Sequence, residues 1–179
     1  IERTMYNALM ASMKHDNSQI VKYVPLEGFR REGEHQCDVR INCCNANAPR
    51  AFAMIPRIAY RKPKADRIDI NLYMPSKAAI HMDKRTFDIV QETNYPVTDE
   101  VKITVTPDKT AHAEIALRIP GWAPKAQIKV NGEAKDGVAC GEYFIIGREW
   151  KAGDEITLKM EMPAHLVQLN QSVAIERGP

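Results

Sequence analysis

The residues best suited to chemistry in this chain are two adjacent cysteines, Cys43 and Cys44. Two neighbouring thiolates can supply two of the four positions around a tetrahedral zinc ion. The pair also precedes a predicted helix at residues 48–57, with Asn45 and Asn47 as candidate N-cap residues. The amides and dipole of a helix N-terminus favour the thiolate, and an ionised cysteine is a nucleophile. The alternative is that both cysteines are small buried residues without a chemical role.

Other candidate metal ligands are less well spaced. Cys37 would add a third thiolate in a C-x5-C-C pattern, which differs from the C-x2–4-C of zinc fingers, and His35 shares its loop. Cys140 lies in a glycine-containing turn and is expected to be structural. The five histidines show neither H-x3-H nor HExxH spacing, so each one alone is expected to be a surface or strand residue.

Two polar side chains near the N-terminus could hold sugar hydroxyl groups. Glu2 lies in a predicted first helix, and Tyr23 lies in an extended run at residues 19–26. A carboxylate and a phenol make directional hydrogen bonds to hydroxyls, although a helix glutamate is usually solvated and a strand tyrosine is usually half-buried. Trp122 and Trp150 lie beside turns and could stack on a sugar, but packing at a corner of the fold is the favoured interpretation.

The elements that would position these residues differ between the two ends of the chain. Apolar residues recur at helical spacing in residues 1–14, and the basic residues 61–67 are expected to form a connector. The hydrophobic period then changes to two in RIDINLYM, TFDIVQET, EVKITVT, AEIALRI, AQIKV, EYFII and EITLKMEM. Asn131-Gly132 is the strongest hairpin signal among the turns between these runs. The pattern predicts a mainly β protein with a helical N-terminal part and an antiparallel β-sandwich.

The composition excludes several function classes. Among 179 residues, 25 are Lys or Arg and 23 are Asp or Glu, and a net charge of +2 provides no electrostatic footprint for nucleic acid or an anionic membrane. No apolar run approaches the roughly 20 residues that span a bilayer. Four cysteines are too few for a disulfide scaffold of this size. Because the chain starts without Met and stops within a predicted strand, we expect it to be a piece of a longer protein.

Several segments, taken in order, resemble a known family. ERTMYNALMA, KYVPLEG, NCCNANAPR and RIDINLYMPSKA are followed by LRIPGWAPKAQIKVNGE, GEYFIIGREWKAGDEITLKMEMP and VAIERGP. Over essentially the whole chain they resemble the β-L-arabinofuranosidases of glycoside hydrolase families 127 and 146. The most specific part is a C-C-x-x-N-x-x-R motif, formed here by Cys43, Cys44, Asn47 and Arg50. The sequence CCNAN, where many members have CCPPN, indicates a divergent branch.

The resemblance implies a division into two domains and a retaining glycoside hydrolase activity. Residues 1–62 would be the C-terminal part of an (α/α)6 catalytic barrel, and residues 63–179 would be a truncated β-sandwich. The parent protein would release terminal β-L-arabinofuranose or a related sugar from plant-type glycans.

The resemblance also implies roles for particular residues. Cys43 would be the nucleophile and a zinc ligand, Cys44 a second zinc ligand, and Glu2 and Tyr23 would contact the sugar. In the family, the other two zinc ligands and the acid/base glutamate lie upstream of this segment. The zinc site would therefore be incomplete in this chain, which alone is expected to be inactive.

The expected partners are a carbohydrate substrate and the remainder of the parent polypeptide, with no nucleic acid and no membrane, and a homodimer is left open. The family's habitat favours the bacterial periplasm or cytoplasm without deciding between them. An alternative function is a non-catalytic β-sandwich, for carbohydrate binding or interdomain support, with a structural cysteine pair. A zinc-dependent redox module is disfavoured because the sequence contains no C-x-x-C.

Overall fold

The computed structural model describes residues 1–13, 16, 20 and 43–179. This part of the chain divides into two compact units, Ile1–Arg57 with Pro179, and Ile58–Gly178. The division into domains at residues 62 and 63 stays a prediction. Within the described residues, no helix is both long and apolar enough to cross a membrane.

The N-terminal segment is helical, as its apolar spacing predicts, but it is not a regular α-helix. Thr4–Leu9 forms a π-helix and Met10–Ser12 forms a 3₁₀-helix. Side chains compete for the carbonyl groups here, since Asn7 Nδ2 donates to Arg3 O at 2.9 Å and Ser12 Oγ donates to Leu9 O at 2.6 Å. Such side-chain bonds offer the backbone an alternative to the regular helical pattern.

Helix α1 comprises the 17 residues Cys43–Ala59 and is longer at both ends than predicted. The predicted N-cap is wrong, because Asn45 and Asn47 lie inside the helix. Pro56 also lies inside it, although proline usually ends or kinks a helix. Alanine is the strongest helix former, and alanines at positions 46, 48, 51 and 53 support the helix on both sides of Pro49.

Twelve strands follow α1 in the part of the chain that the structure describes. They are β1 (Tyr60–Lys64), β2 (Arg67–Ile70), β3 (Ser76–Met82), β4 (Arg85–Thr93), β5 (Glu100–Pro107), β6 (Ala111–Arg118), β7 (Ala126–Val130), β8 (Glu133–Lys135), β9 (Tyr143–Trp150), β10 (Asp154–Met160), β11 (His165–Leu169) and β12 (Ser172–Glu176). One sheet has the order β1-β2-β6-β9, a second has the order β3-β4-β5-β10-β7-β8, and β11 pairs with β12.

The predicted sandwich is confirmed, and each of the seven predicted runs contains a strand. Five strands lie outside those runs, namely β1, β3, β8, β11 and β12. The basic connector is in fact the exposed edge strand β1, and β3 contains alanine and lysine, which are poor strand formers. One pairing departs from the antiparallel prediction, because β2 runs parallel to β6.

The two larger sheets share a core of aliphatic side chains. Ile68 and Ile115 from one sheet and Ile103 and Ile156 from the other are fully buried. Trp150 is 0% exposed, and its indole Nε1 donates to Ala113 O at 3.0 Å, so its polar atom is satisfied inside the core. Burial of the alternate positions fixes the strand register, because a slip by one residue would expose all of them.

The turn between β7 and β8 has the predicted Asn-Gly geometry. The φ angles of Asn131 and Gly132 are 51° and 83°, both in the left-handed region that a type I′ hairpin requires. The Asn131 side chain links this turn to the start of β10. Its Nδ2 donates to Asp154 Oδ1 at 2.9 Å, and its Oδ1 accepts from the amide of Glu155 at 2.8 Å.

Asp154 is the buried carboxylate at the centre of this connection. Its Oδ2 accepts from the Lys151 amide at 2.8 Å and lies 3.7 Å from Arg148 Nη2. Burial acts to raise the pKa of Asp154. The hydrogen bonds from Lys151 and Asn131, with the positive charges of Arg148 and Lys151, outweigh burial and hold the pKa below its ordinary value.

We predict that Gly132→Ala destabilises the protein, because alanine at positive φ costs about 1–2 kcal/mol. The matched control is Gly147→Ala in β9, where a Cβ atom would meet only Glu114 Cγ at 3.8 Å. Urea denaturation should show a lower midpoint for Gly132→Ala and an unchanged or higher midpoint for Gly147→Ala. Equal midpoints for the two variants would contradict the turn assignment.

We predict that Asp154→Ala lowers the free energy of unfolding by about 1–3 kcal/mol at neutral pH, because it removes hydrogen bonds to a buried charged group. The folded-state pKa of Asp154 lies below 3.8. Its contribution is therefore complete above the unfolded-state pKa and is lost as the pH falls through the folded-state pKa.

Denaturation at several pH values checks this prediction, with the exposed Asp136→Ala as the control variant. The difference between wild type and Asp154→Ala should shrink on acidification. A difference that is constant from neutral to strongly acidic pH would show that the ionised carboxylate does not contribute.

Candidate active site

The two cysteines occupy the first two positions of helix α1, and do not precede it as predicted. The structure describes the backbone of these two residues but not their side chains, and the backbone places both at the helix N-terminus. The first amides of a helix have no partner within the helix, and the dipole is positive at this end. The backbone position at a helix N-terminus is the one on which the prediction of a thiolate was based, and the thiolate itself stays a prediction.

The second half of the C-C-x-x-N-x-x-R motif follows along the same helix. Arg50 Nη1 donates to Asn47 Oδ1 at 3.2 Å, and both residues are exposed. Residues three apart are neighbours on a helix surface, so the motif spacing is that of a contact within α1.

Glu2 does not have the solvated environment that is usual for a helix glutamate. Its side chain is buried, with 7% exposed. Tyr6 follows four residues later, and burial, together with the charge of Glu2, raises the pKa of Tyr6 to about 12. The phenol therefore keeps its proton at neutral pH. Sequence reasoning missed Tyr6, although its spacing of four from Glu2 in a predicted helix was a usable signal.

Three candidate residues lie outside the described residues. These are Tyr23, predicted to contact the sugar, and the loop residues His35 and Cys37. Their assignments stay predictions.

The residues present agree in kind with a zinc site but supply only part of one. Two thiols at a helix N-terminus are soft donors that suit zinc, and they would account for two of four ligands. Among the described residues, no group of three or more His, Cys, Asp or Glu side chains could hold a metal ion.

The remaining candidates have packing roles. Trp150 is buried in the core, so it cannot stack on a sugar. Trp122 is half-buried and stacks on Tyr95, with ring centroids 6.4 Å apart and 20° between the planes. Cys140 is a free, half-buried cysteine beside a turn. The packing interpretation of the two tryptophans agrees with these contacts.

Comparison with known proteins shows which family this chain resembles in sequence and in structure. The family model for the middle domain of the GH127 β-L-arabinofuranosidases matches residues 67–162. A solved GH127 β-L-arabinofuranosidase from Geobacillus stearothermophilus T6 is 30% identical, with a TM-score of 0.83 over 99% of this chain. A solved GH127 β-arabinofuranosidase is 27% identical with a TM-score of 0.85, and a solved glycoside hydrolase is 26% identical with a TM-score of 0.82, each over 99% of this chain. Curated proteins gave no match.

The chain spans about a third of the length of these structures, since it covers 31%, 31% and 32% of their chains. The family model nevertheless matches more than half of the present sequence, and it coincides with β2 to β10 of the sandwich. The chain therefore belongs to the GH127 β-L-arabinofuranosidase family of glycoside hydrolases.

Proposed function

We propose that this chain is part of a retaining glycoside hydrolase that releases terminal β-L-arabinofuranose, or a related sugar, from plant-type glycans. The proposed nucleophile is Cys43. The observation that carries the proposal is the position of Cys43 and Cys44 at the N-terminus of α1 in a member of this family. Because the chain spans about a third of its solved relatives, the activity is proposed for the full-length protein.

Cys43 and Cys44 would hold a zinc ion, together with two ligands from outside this chain. When bound, zinc would keep the cysteine sulfurs ionised at neutral pH and stabilise sulfur as a leaving group. The helix N-terminus would favour the same ionised state through its free amides.

The proposed reaction has two displacement steps. The Cys43 thiolate attacks the anomeric carbon, and the carbon–sulfur bond forms as the glycosidic carbon–oxygen bond breaks. The departing oxygen takes a proton from an acid/base glutamate outside this chain. Water then gives a proton back to that glutamate and displaces the thiolate, which releases the sugar with retained configuration.

Glu2 and Tyr23 are proposed to hold hydroxyl groups of the sugar. The burial of Glu2 supports this role, because a buried carboxylate makes stronger hydrogen bonds than a solvated one. Tyr6, one helical turn away, keeps its proton and can serve as a donor beside that carboxylate.

A second candidate function is interdomain support by a non-catalytic sandwich. The exposed apolar side chains of β11 and β12 favour it. The alternative hypothesis that the sandwich binds carbohydrate has less support, because Trp150 is buried and Trp122 packs on Tyr95.

We predict that Cys43→Ser in the full-length protein lowers kcat on an aryl β-L-arabinofuranoside by at least about 1,000-fold, the scale of nucleophile removal in other hydrolases. The bound zinc, measured by metal analysis, should fall in the same variant because a ligand is lost. The control is Cys140→Ser in the sandwich, which should keep both activity and zinc.

Two outcomes would contradict these roles. Full hydrolytic activity of Cys43→Ser would exclude the nucleophile assignment and would favour the support function. An unchanged zinc content with lost activity would keep the nucleophile but exclude Cys43 as a ligand.

We predict that Glu2→Gln lowers kcat/KM by about 10- to 100-fold, because a charged hydrogen bond to the sugar becomes a neutral one. The same variant should lower the pKa of Tyr6 from about 12, since the charge of Glu2 is lost while burial remains. Ultraviolet titration of the phenol measures this shift.

The exposed Glu142→Gln is the control for both measurements. A lower pKa of Tyr6 without a change in kcat/KM would confirm the electrostatic contact and reject the sugar contact.

A further inference from the structure

The N-terminal helical segment changes its hydrogen-bond pattern between Ile1 and Met10. The amide of Met5 donates to Ile1 O, four residues back, at 2.8 Å, as in an α-helix. The amide of Met10 donates to Met5 O, five residues back, as in a π-helix. One turn therefore closes over an additional residue, and wider turns of this kind occur frequently at functional sites.

Asn7 lies in the middle of the wider turn, and its side chain bonds to the backbone there. In a regular α-helix, Arg3 O would accept from the backbone amide of Asn7. Here Asn7 Nδ2 donates to Arg3 O at 2.9 Å, and the same nitrogen donates to Pro179 O at 3.1 Å. A side-chain amide nitrogen carries two hydrogens, so both bonds can form at once. The side chain thus competes for a carbonyl oxygen that the α-helical pattern uses.

The bond to Pro179 distinguishes Asn7 from an ordinary surface asparagine. The two residues are 172 positions apart in the sequence but belong to the same compact unit, Ile1–Arg57 with Pro179. By comparison, Ser12 Oγ donates to Leu9 O at 2.6 Å, which is a bond within its own turn. The Asn7 amide is therefore held from two sides, by its own helix and by the chain at Pro179.

The wider turn aligns Tyr6 with Glu2. Residues four apart in an α-helix are offset by about 40° around the helix axis, because about 3.6 residues complete a turn. A turn that contains more residues reduces this offset, so the side chain at i+4 lies more nearly above the side chain at i. The charge of the buried Glu2 helps to raise the pKa of Tyr6, as expected for two side chains that lie close together.

We propose that Asn7 is a positioning residue for the Glu2–Tyr6 pair, because its bonds to Arg3 O and Pro179 O hold the wider turn in which the carboxylate and the phenol face the same way. This inference deepens the proposed function and rests on it for the claim that Glu2 holds a sugar hydroxyl. Asn7 is exposed and acts through the backbone, without contact to the sugar. A carboxylate accepts and a phenol donates, so the aligned pair would suit two neighbouring hydroxyls of one sugar.

The Asn7→Leu variant separates this role from a loss of folding. Leucine is close to asparagine in size, cannot donate to either carbonyl and is the better helix former. Because the side chain of Asn7 is exposed, its replacement removes no packing from the buried Glu2 and Met5. We therefore expect the segment to stay helical and to return to i→i−4 bonding. Ser12→Ala, which removes the other side-chain bond to a carbonyl in this segment, is the matched control.

The geometry can be tested in the full-length protein without sugar hydrolysis. In Asn7→Leu we expect the pKa of Tyr6 to fall from about 12, because the phenol turns away from the Glu2 carboxylate. Ultraviolet titration measures this change, and a Tyr6→Phe protein identifies the signal of Tyr6. A crystal structure of Asn7→Leu should show i→i−4 bonds in place of the wider turn, whereas Ser12→Ala should keep both the turn and the pKa. An unchanged turn, or a pKa of Tyr6 that stays at about 12, would overturn the inference.

A double-mutant cycle tests whether Asn7 acts through Glu2. We expect Asn7→Leu to lower kcat/KM on an aryl β-L-arabinofuranoside by about 5- to 20-fold, but by less than about 2-fold when Glu2 is already replaced by Gln. Ser12→Ala should leave kcat/KM unchanged in both backgrounds. Equal losses for Asn7→Leu in the two backgrounds would show a merely structural role and would also overturn the inference.

The inference and the proposed function fail on different measurements. Wild-type hydrolysis by Glu2→Gln would reject the sugar contact that the proposed function assigns to Glu2. The pKa of Tyr6 and the turn in Asn7→Leu would still decide whether Asn7 positions the pair.

Discussion

Contact between two aliphatic sheet faces is the interaction on which the second unit depends. In β5, Val101, Ile103 and Val105 point inward and are fully buried, while Lys102 between them reaches Glu155 Oε2 at 2.7 Å on the outer face. The exposed pair contributes little, because surface ion pairs are screened by water. The buried face sets the register of each strand, and the register sets where each turn falls. The Asn131-Gly132 turn and its bond to Asp154 are consequences of that register.

Family membership and the proposed chemistry depend on different segments of the chain. The family model matches residues 67–162, which lie in the sandwich. The proposed nucleophile lies at the start of α1, outside that match, and Glu2 lies further upstream. The sandwich thus identifies the kind of protein, while the thiol chemistry is inferred from two residues at a helix N-terminus. Because the family model does not cover Cys43 or Glu2, their roles are tested by substitution of these residues and not by family membership.

Much of the sandwich could be predicted because alternation of apolar residues is a direct signature of one-sided burial. The signal failed for β1, whose basic side chains face water at a sheet edge, and for β3, where alanine and lysine hide the alternation. The parallel pairing of β2 with β6 could not be predicted, since alternation has no direction. The predicted ends of α1 were wrong because asparagine and proline only bias a helix end locally, and α1 continues through both residue types. At the candidate site, the type and adjacency of Cys43 and Cys44 were readable from the sequence, but the two residues alone do not define a complete site, and the zinc ion stays a proposal.

The parallel pairing of β2 with β6 has a consequence for how this protein is made. β2 ends at Ile70 and β6 begins at Ala111, and residues 71–110 between them form three strands of the other sheet. As the chain leaves the ribosome, β2 has only β1 beside it until these residues have been translated. The buried side chains of β2 stay without their partner strand during that interval. The four-stranded sheet must therefore close late, after most of the six-stranded sheet has already been synthesised.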